Sequence, residues 1–224
     1  MTVVNAINFL RLAARKLKPK KKTKFKTSPQ YWEARYQNLG TSGAGSYGRL
    51  AKFKAKTIND FVEENNIESI IEFGCGDGNQ LRLLRVKKYI GVDVSETIIE
   101  ECKRLFSKDK RKEFILLSDY LKEKADLAIS LDVIYHLIED EVFHDYMDKL
   151  FNAADRFVII YSSNEDEVHS GAQHVRHRKF SDWIENNAPE FELIEKIPNK
   201  YPFDATNQKN TSFADFYIFA RKNT

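Results

Sequence analysis

The stretch Ile70-Ile71-Glu72-Phe73-Gly74-Cys75-Gly76-Asp77-Gly78-Asn79-Gln80-Leu81 decides the fold of this chain. An apolar run with β-branched residues comes first, three alternating glycines follow, and a helical pattern then resumes. This order predicts a strand, a tight loop and a helix. Glycine permits positive φ angles and lets the backbone approach a ligand closely. Backbone N–H groups at the start of the predicted helix would face that ligand, so the stretch predicts a nucleotide-binding loop.

The spacing of the glycines bears on which nucleotide the loop binds. A dinucleotide site has G-x-G-x-x-G, whereas this loop has G-x-G-x-G, because Asn79 follows Gly78. The case for a pyrophosphate is therefore weak. An acidic residue, Asp93, ends the next apolar segment, 89–93. A carboxylate at a strand tip suits the two hydroxyl donors of a ribose.

This combination resembles the class I S-adenosylmethionine-dependent methyltransferases, whose first motif has the form E/D-x-G-x-G-x-G. The resemblance implies that the three glycines line the methionine part of the cofactor and that Asp93 holds its ribose. The cofactor-binding set expected from this region is Glu72, Gly74, Cys75, Gly76, Gly78 and Asp93. A glycine loop that only turns the chain is the alternative.

Composition favours one globular enzyme domain. With 224 residues, 42% of them hydrophobic, the chain is long enough for a single α/β domain with a substantial core. Cys75 and Cys102 form neither a disulfide framework nor a metal-binding spacing, so we expect a reducing, cytosolic setting and no metal. The sequence contains no apolar run of 18 or more residues, so it predicts no membrane-spanning segment.

The first 26 residues form a basic arm. They contain nine basic residues and no acidic one, whereas the remainder carries 27 basic and 33 acidic residues, a net charge of −6. An acidic body disfavours nucleic-acid binding outside the arm. The spacing of its apolar and basic residues predicts an amphipathic helix that ends before Pro19, and a lysine-rich linker follows. The sequence leaves three roles open for this arm. It binds the inner face of an anionic membrane, it docks on the domain or on a protein partner, or it is a solubilising tail.

Residues 27–66 predict two helices, 30–38 and one capped by Ser46 that runs to about 64, joined by a glycine- and serine-rich loop. This arrangement resembles the cofactor lid of many small-molecule methyltransferases. The resemblance implies that Tyr31, Arg35 and Tyr36 reach the cofactor carboxylate or the substrate, and aromatic packing on the core is the alternative. The predicted organisation is an arm (1–26) and a methyltransferase domain (27–224), divided into a lid (27–66) and a catalytic core (67–224).

Further candidates follow the third and fourth predicted strands, 113–117 and 125–131. Residues just past the carboxyl ends of strands face the ligand crevice of an open α/β sheet. The resemblance implies that Asp119, with Tyr120 beside it, accepts a hydrogen bond from the adenine amino group. A turn aspartate is the alternative. Asp132 is expected at the cofactor and Tyr135 at the substrate.

His136 is the predicted general base. The segment after the fourth strand has neither Asn/Asp-Pro-Pro-aromatic nor Pro-Cys. This disfavours amino methylation through the first motif, and pyrimidine C5 methylation through a cysteine. An alcohol becomes a good nucleophile only when its proton is removed, and imidazole titrates in the right range to remove it. A histidine that packs or hydrogen-bonds at a helix start is the alternative.

The polar segment 162–178 predicts a long loop at a strand tip. Loops longer than about 12–15 residues in compact domains are usually functional or disordered. Its histidines do not match a zinc pattern. We expect Arg176 and Arg178, with His174 and His177, to recognise an anionic or sugar-phosphate substrate. A solvated loop is the simplest alternative.

The rest of the chain completes an α/β pattern. Helices are predicted at 139–153 and 180–187, and strands at 156–161, 191–197 and 212–221. The family resemblance implies a Rossmann-like, seven-stranded, mostly parallel sheet with helices on both faces and an antiparallel C-terminal hairpin strand. Segments 31–53, 135–137 and 198–202 are similar to methyltransferases encoded with surface-polysaccharide enzymes.

The expected function is S-adenosylmethionine-dependent O-methylation of a sugar or another small acceptor by a cytoplasmic enzyme. Three alternatives stand beside it: an RNA methyltransferase anchored by the basic arm, a non-catalytic module attached to a membrane or partner, and, more distantly, a dehydrogenase.

Overall fold

The computed structural model describes residues 25–165, 168–169 and 172–222. The helices are α1 (Ser28–Gln37), α2 (Gly48–Glu64), α3 (Glu96–Leu105), α4 (Asp140–Asn152) and α5 (Phe180–Asn187). The strands are β1 (Ser69–Phe73), β2 (Lys88–Asp93), β3 (Lys112–Leu116), β4 (Ala125–Leu131), β5 (Ala154–Ser162), β6 (Val168–His169), β7 (Arg176–His177), β8 (Phe191–Ile197) and β9 (Asp215–Arg221).

Seven of the strands form one sheet in the order β3-β2-β1-β4-β5-β9-β8. The first five pair in parallel, while β9 runs antiparallel to both of its neighbours. The two short strands β6 and β7 form a separate ribbon. The fold class inferred from the sequence is therefore confirmed, including the antiparallel C-terminal hairpin.

Helices cover both faces of this sheet. Neighbouring residues of a strand point to opposite faces, so Ile70 packs in one core cluster and Ile71 in the other. The cluster around Ile70 includes Phe61 of α2 and Cys102 of α3, whereas the opposite cluster is built from α4 and α5. Because α2 packs against the sheet, the lid segment inferred from the sequence includes a helix of the core.

The glycine loop is not followed by the predicted helix. Residues Leu81–Leu83 form one 3₁₀ turn, and the chain then enters β2. The layer beside this turn is filled by α2, whose Asn59 accepts a hydrogen bond from Arg85 N and donates one to Leu83 O. The expected helix dipole behind the loop is therefore absent, because a helix from earlier in the chain occupies that side.

Several predicted boundaries move by a few residues. The first described helix begins at Ser28, capped by Thr27, and not at residue 30. Ser46 belongs to a 3₁₀ turn, Ala44–Ser46, and makes no capping hydrogen bond to α2. Strand β5 begins at Ala154 and β9 only at Asp215. The proposed cap of α3 is confirmed, since Ser95 Oγ accepts a hydrogen bond from Ile98 N at 3.2 Å.

The amphipathic helix and most of the lysine-rich linker predicted for the arm lie outside the described residues. Within the described part of the chain, no helix is both long and apolar enough to cross a bilayer.

Candidate functional site

A cavity with an empty volume of about 860 Å³, part of it open to solvent, lies at the carboxyl ends of β1, β2 and β4. The strand order reverses between β1 and β4, and such a switch point is where open α/β sheets bind ligands. Eight residues predicted from the sequence line this cavity: Tyr36, Glu72, Gly74, Cys75, Gly76, Asp93, Asp132 and His136.

The glycine loop needs its glycines for two different reasons. Gly74, Gly76 and Gly78 all have positive φ angles, +81°, +54° and +67°. A Cβ atom on Gly76 would lie 2.2 Å from Ser42 Oγ, so the neighbouring loop could not approach a larger residue. Gly78 lies outside the cavity lining, and a Cβ there would meet the Phe106 ring at 2.7 Å. The first two glycines shape the cavity, and the third lets α3 pack.

Asp93 fixes the glycine loop at the tip of β2. Its Oδ2 accepts a hydrogen bond from Gly76 N at 3.0 Å, and its Oδ1 accepts one from Ser95 N at 3.0 Å. Burial raises its pKa to about 6, against the lowering effect of these backbone hydrogen bonds. A carboxylate oxygen has two lone pairs, so a ribose hydroxyl has an acceptor left to bind.

Glu72 lies deeper, beneath the loop. Tyr89 donates its hydroxyl hydrogen to Glu72 Oε2 at 2.5 Å. Burial raises the pKa of Glu72 to about 7 despite this hydrogen bond. The carboxyl group of the glycine motif therefore changes charge near neutral pH.

The loop 40–47 is docked on the glycine loop through Ser42 and Asp77. Ser42 N donates to Asp77 Oδ2 at 3.1 Å, and Asp77 N donates to Ser42 Oγ at 2.9 Å. Tyr47 donates its hydroxyl hydrogen to the same carboxylate at 2.7 Å. The Tyr36 hydroxyl lies 3.2 Å from Ser42 Oγ. This reciprocal pairing closes the predicted lid loop over one side of the cavity.

Lys54 is a cavity residue that was not predicted from the sequence. It lies on α2, almost completely buried, and its ammonium forms an ion pair with the Asp132 carboxylate. Tyr135 donates its hydroxyl hydrogen to the other carboxylate oxygen, at 2.9 Å. Asp132 has a φ angle of +61°, which non-glycine residues rarely adopt and which often marks a functional site. The signal was a lysine on the apolar side of the helix, four residues after Leu50.

His136 has one ring nitrogen engaged. Its Nδ1 lies 2.7 Å from the carbonyl oxygen of His174, which can only accept, so Nδ1 carries the hydrogen. In the neutral ring the lone pair is then on Nε2. Burial lowers the pKa of His136 to about 4. The ring is therefore neutral at physiological pH, with a free acceptor nitrogen.

Aromatic rings of α1 cover this histidine. The Trp32 ring meets the His136 ring edge-on at 5.0 Å, and the His174 ring stacks beside it at 5.5 Å. Tyr31 stacks in turn on His174 at 4.6 Å. Trp32 lines the cavity, although the residues predicted from the sequence on this helix were Tyr31, Arg35 and Tyr36. Arg35 lies outside the lining, where its Nε donates to Thr41 O at 2.6 Å.

Acidic groups dominate the charge of the cavity wall. Four carboxylates line it, those of Glu72, Asp77, Asp93 and Asp132, against the single ammonium of Lys54 among the described lining residues. Within the same described ranges, no group of three or more His, Cys, Asp or Glu side chains is arranged to hold a metal ion.

A sequence model of the methyltransferase domain family matches residues 10–194. The chain belongs to the methyltransferase domain family. The resemblance to class I S-adenosylmethionine-dependent methyltransferases, inferred from the glycine motif, is thereby confirmed. No curated protein matches the chain at a significant level.

Solved structures support the fold of this methyltransferase. The N-methyltransferase NodS from Bradyrhizobium japonicum, in complex with S-adenosylhomocysteine, is 12% identical with a TM-score of 0.65, covering 88% of this chain and 100% of NodS. Magnesium protoporphyrin IX methyltransferase from Synechocystis, also with S-adenosylhomocysteine, is 15% identical with a TM-score of 0.59, covering 97% and 96%. A candidate RNA methyltransferase from Pyrococcus horikoshii is 15% identical with a TM-score of 0.55, covering 96% and 98%.

Two arginines predicted to bind substrate make contacts within the methyltransferase chain itself. Arg176 Nη1 and Arg178 Nη2 both donate to the carbonyl oxygen of Ile138, at 2.7 and 2.9 Å. Both guanidinium groups also pair with Asp140, at 2.9 and 2.6 Å. They therefore brace the chain just after His136 and lie outside the cavity lining.

The remaining predicted residues also lie outside the lining of the methyltransferase cavity. His177 Nδ1 is 2.7 Å from Ser163 Oγ, beneath the Phe213 ring. Asp119 accepts a hydrogen bond from Ser118, and the Tyr120 hydroxyl donates to Glu123 O. At the tip of β3 the cavity is instead lined by Leu117, two residues before Asp119. An adenine contact of Asp119 therefore remains a prediction.

Proposed function

We propose that this methyltransferase uses S-adenosylmethionine to methylate a hydroxyl group of a sugar or another small acceptor, with His136 as the proton acceptor. One observation carries the proposal. His136 lines the cavity with Nδ1 bonded to the His174 carbonyl, which leaves Nε2 as an acceptor in the neutral ring. His136 is among the residues that line the cavity proposed for the cofactor, which supports this role.

The cavity fits the parts of S-adenosylmethionine in order along the sheet edge. At the tip of β4, the Lys54–Asp132 pair offers both charges to the zwitterionic amino-acid end. At the tips of β2 and β3, Val94 and Leu117 offer apolar surface to the flat adenine. Asp93 stands between these ends, where a ribose belongs. Neighbouring strands are about 4.8 Å apart, so the span from β2 to β4 is about 10 Å. The S-adenosylhomocysteine complexes of the Bradyrhizobium and Synechocystis enzymes support the same cofactor.

The bound cofactor would supply a methyl group on an electrophilic sulfonium. The chain's own contribution is orientation, exclusion of water and removal of the acceptor proton. Trp32 and the docked loop 40–47 cover the cavity, and His136 Nε2 receives the hydroxyl proton. An imidazole with a pKa of about 4 is a weak base, so it accepts the proton as the new bond forms and does not produce a free alkoxide beforehand.

The charge of the chain favours a small acceptor over a nucleic acid. The fold alone does not select the acceptor, because the neighbouring structures include an N-methyltransferase, a porphyrin methyltransferase and a candidate RNA methyltransferase. The acidic cavity wall and the net charge of −6 outside residues 1–26 would repel a polyanion. A sugar hydroxyl, a role alongside surface-polysaccharide enzymes and a cytoplasmic location are parts of this proposal.

Calorimetry followed by an acceptor screen tests the proposal. We expect wild type to bind S-adenosylmethionine and S-adenosylhomocysteine, and Asp93→Ala to bind both more weakly. We then expect methyl transfer to sugar hydroxyls in preference to amines or RNA. His136→Gln should keep cofactor affinity and lose about 10²- to 10⁴-fold in kcat. His144→Gln, the same change on the exposed side of α4, is the matched control and should change neither.

Three results would contradict parts of this proposal. A folded wild type that binds neither compound would remove the cofactor assignment. A His136→Gln variant with unchanged kcat would remove the proton acceptor. Turnover restricted to RNA, lost on deletion of residues 1–26, would favour the nucleic-acid alternative.

A further inference from the structure

The amide of Gln80 has one end bonded and the other unpaired. Gln80 lines the cavity two residues after the last glycine, and only 4% of its surface is exposed. Its Nε2 donates to the carbonyl oxygen of Ala51 at 3.1 Å. Because a carbonyl can only accept, this bond fixes which end of the amide is nitrogen. The oxygen Oε1 is left buried with no hydrogen-bond partner among the described residues.

An acceptor of this kind at a ligand cavity indicates a donor on the ligand. Buried polar atoms are nearly always hydrogen-bonded, and leaving one unpaired costs free energy. The carboxylates that share the cavity have donors within the chain, as Asp93 does from two backbone N–H groups and Asp132 from Lys54 and Tyr135. Among the described side chains that line the cavity, Gln80 carries the one buried polar atom still without a partner, its Oε1.

Gln80 lies toward the end of the cavity that carries the charges of Lys54 and Asp132. Its partner Ala51 lies one turn before Lys54 on α2, and Lys54 holds Asp132 at the tip of β4. The apolar surface of Val94 and Leu117 lies at the tips of β2 and β3, beyond Asp93. A ligand whose adenine occupies the apolar end therefore brings its amino-acid end to the side of Gln80. The strong donor at that end is an α-ammonium group, which makes charge-assisted hydrogen bonds.

We infer that Gln80 Oε1 accepts a hydrogen bond from the α-ammonium of the cofactor's amino-acid end, so that Gln80 selects cofactors that carry this group. The inference rests on the S-adenosylmethionine site proposed above. It assigns Lys54 to the carboxylate of the same zwitterion, since Gln80 bonds to Ala51 and Lys54 lies one turn further along α2. The amide thus completes a site for both charges of an amino acid.

A binding cycle tests the inference without measuring turnover. The ligands are S-adenosylhomocysteine and its deaminated analogue, in which hydrogen replaces the α-amino group. Affinities are measured by calorimetry on the full chain for wild type, Gln80→Met and Gln80→Glu. Gln37→Met makes the same change on an exposed glutamine of α1 and serves as the control. Circular dichroism checks the fold of each variant.

The quantity that decides is the affinity ratio between the two ligands. We expect wild type to prefer the amine by about 10- to 100-fold, and Gln80→Met to lose most of this preference. Gln80→Glu retains an acceptor and should retain the preference, as should Gln37→Met. If the role of Gln80 is purely structural, Gln80→Met will lower the affinity for both ligands equally and leave the ratio unchanged. That result would overturn the inference.

Other outcomes separate this inference from the function it rests on. If wild type binds S-adenosylhomocysteine but binds the deaminated analogue within twofold of it, the Gln80 inference fails and the cofactor site stands. This comparison needs no variant, so it decides even if Gln80→Met does not fold. If folded wild type binds neither compound, the proposed function fails and the inference falls with it.

Discussion

The ammonium of Lys54 on α2 and the carboxylate of Asp132 after β4 form an ion pair at the wall of the cavity. The two side chains are 1% and 13% exposed, and Asp132 is held in a left-handed conformation. The pair joins a helix that precedes the first strand to the edge of the sheet that borders the cavity. The electrostatics of the cavity therefore depend on how α2 packs.

Removing one partner of this pair should destabilise the protein more than removing both. Lys54→Met leaves a largely buried carboxylate without its cation, and we expect the free energy of unfolding to fall by about 3 kcal/mol. The double variant Lys54→Met/Asp132→Asn should recover part of this loss. Urea unfolding measures both. Lys56→Met, whose side chain is 76% exposed on the same helix, should change stability by less than about 0.5 kcal/mol.

The opposite ranking would contradict this account. If Lys54→Met and Lys56→Met lose the same stability, the pair is not significantly buried in solution. If the double variant is less stable than Lys54→Met, the carboxylate of Asp132 is stabilised chiefly by its other partner, Tyr135.

If His136 is the proton acceptor, activity should decline on the acid side only at an unusually low pH. Burial lowers its pKa to about 4, so the ring is neutral and able to accept a proton from about pH 5 upward. As the pH falls through that pKa, the ring becomes protonated and activity should decline. A histidine base with an ordinary pKa would instead lose activity near pH 6.5. Profiles of kcat/KM between pH 4.5 and 9, with the fold checked at each pH, distinguish the two.

Local pattern predicted the strands, the glycine loop and the acidic tip of β2, and the family resemblance implied how the strands combine into one sheet. These features are encoded by adjacent residues, as in the run from Ile70 to Gly78. The residues that were missed, Lys54, Gln80 and Trp32, belong to elements that meet only in the folded chain. Their spacing along the sequence therefore does not predict that they line the same cavity.

The helix expected after Gly78 is absent for the same reason, because it depends on contacts with a distant part of the chain. The helical pattern from Leu81 onward was real but short, and its place against the sheet is taken by α2. Helices of a few residues gain little from their own hydrogen bonds and depend on tertiary packing. The sequence did not show that α2, from before the first strand, would supply that packing.

Glu72 should make stability depend on pH in a direction opposite to an ordinary salt-bridged carboxylate. Its pKa is raised from 4.5 to about 7, so the folded state binds the proton more tightly than the unfolded state does. The stability from this group is present below pH 4.5 and is lost as pH rises through 7, by about 3 kcal/mol in all. Glu72→Gln mimics the protonated form and should lack this loss.

Denaturation at pH 5 and pH 8 measures the effect. The stability difference between Glu72→Gln and wild type should increase by a few kcal/mol from the lower to the higher pH. Glu63→Gln, at a carboxylate that is 79% exposed, is the control and should differ from wild type by the same amount at both. A pH-independent difference for Glu72→Gln would contradict the account.

Arg178 tests whether the basic loop binds substrate or braces the site. Its side chain is 10% exposed and contacts two main-chain carbonyls and Asp140, so Arg178→Met should lower the free energy of unfolding by about 2–4 kcal/mol. Substrate binding alone would instead raise KM and leave stability unchanged. Thermal unfolding together with KM for the acceptor separates these cases. Lys179→Met, at the next position, controls for the lost charge.

Two glycines with similar backbone angles should respond differently to a methyl group. Gly76 and Gly48 have φ angles of +54° and +59°, so alanine at either costs about 1 kcal/mol of backbone strain. At Gly48 nothing lies within 4 Å of the added Cβ, whereas at Gly76 it would lie 2.2 Å from Ser42 Oγ. Gly76→Ala must therefore displace the Ser42 hydroxyl, which accepts a hydrogen bond from Asp77 N and helps to dock the loop 40–47. We expect it to lose cofactor affinity by more than tenfold in calorimetry, while Gly48→Ala loses only stability.

Protease sensitivity of the loop 40–47 provides the second measurement. Its bonds to Asp77 hold the loop closed, so Gly76→Ala should speed cleavage there and Gly48→Ala should not. Equal affinities in the two variants would show that strain alone governs the glycine loop. Weak binding without faster cleavage would place the added methyl group against the ligand and leave the docked loop in its position. In that case Gly76, and not the contact between Ser42 and Asp77, limits how closely the cofactor approaches the backbone.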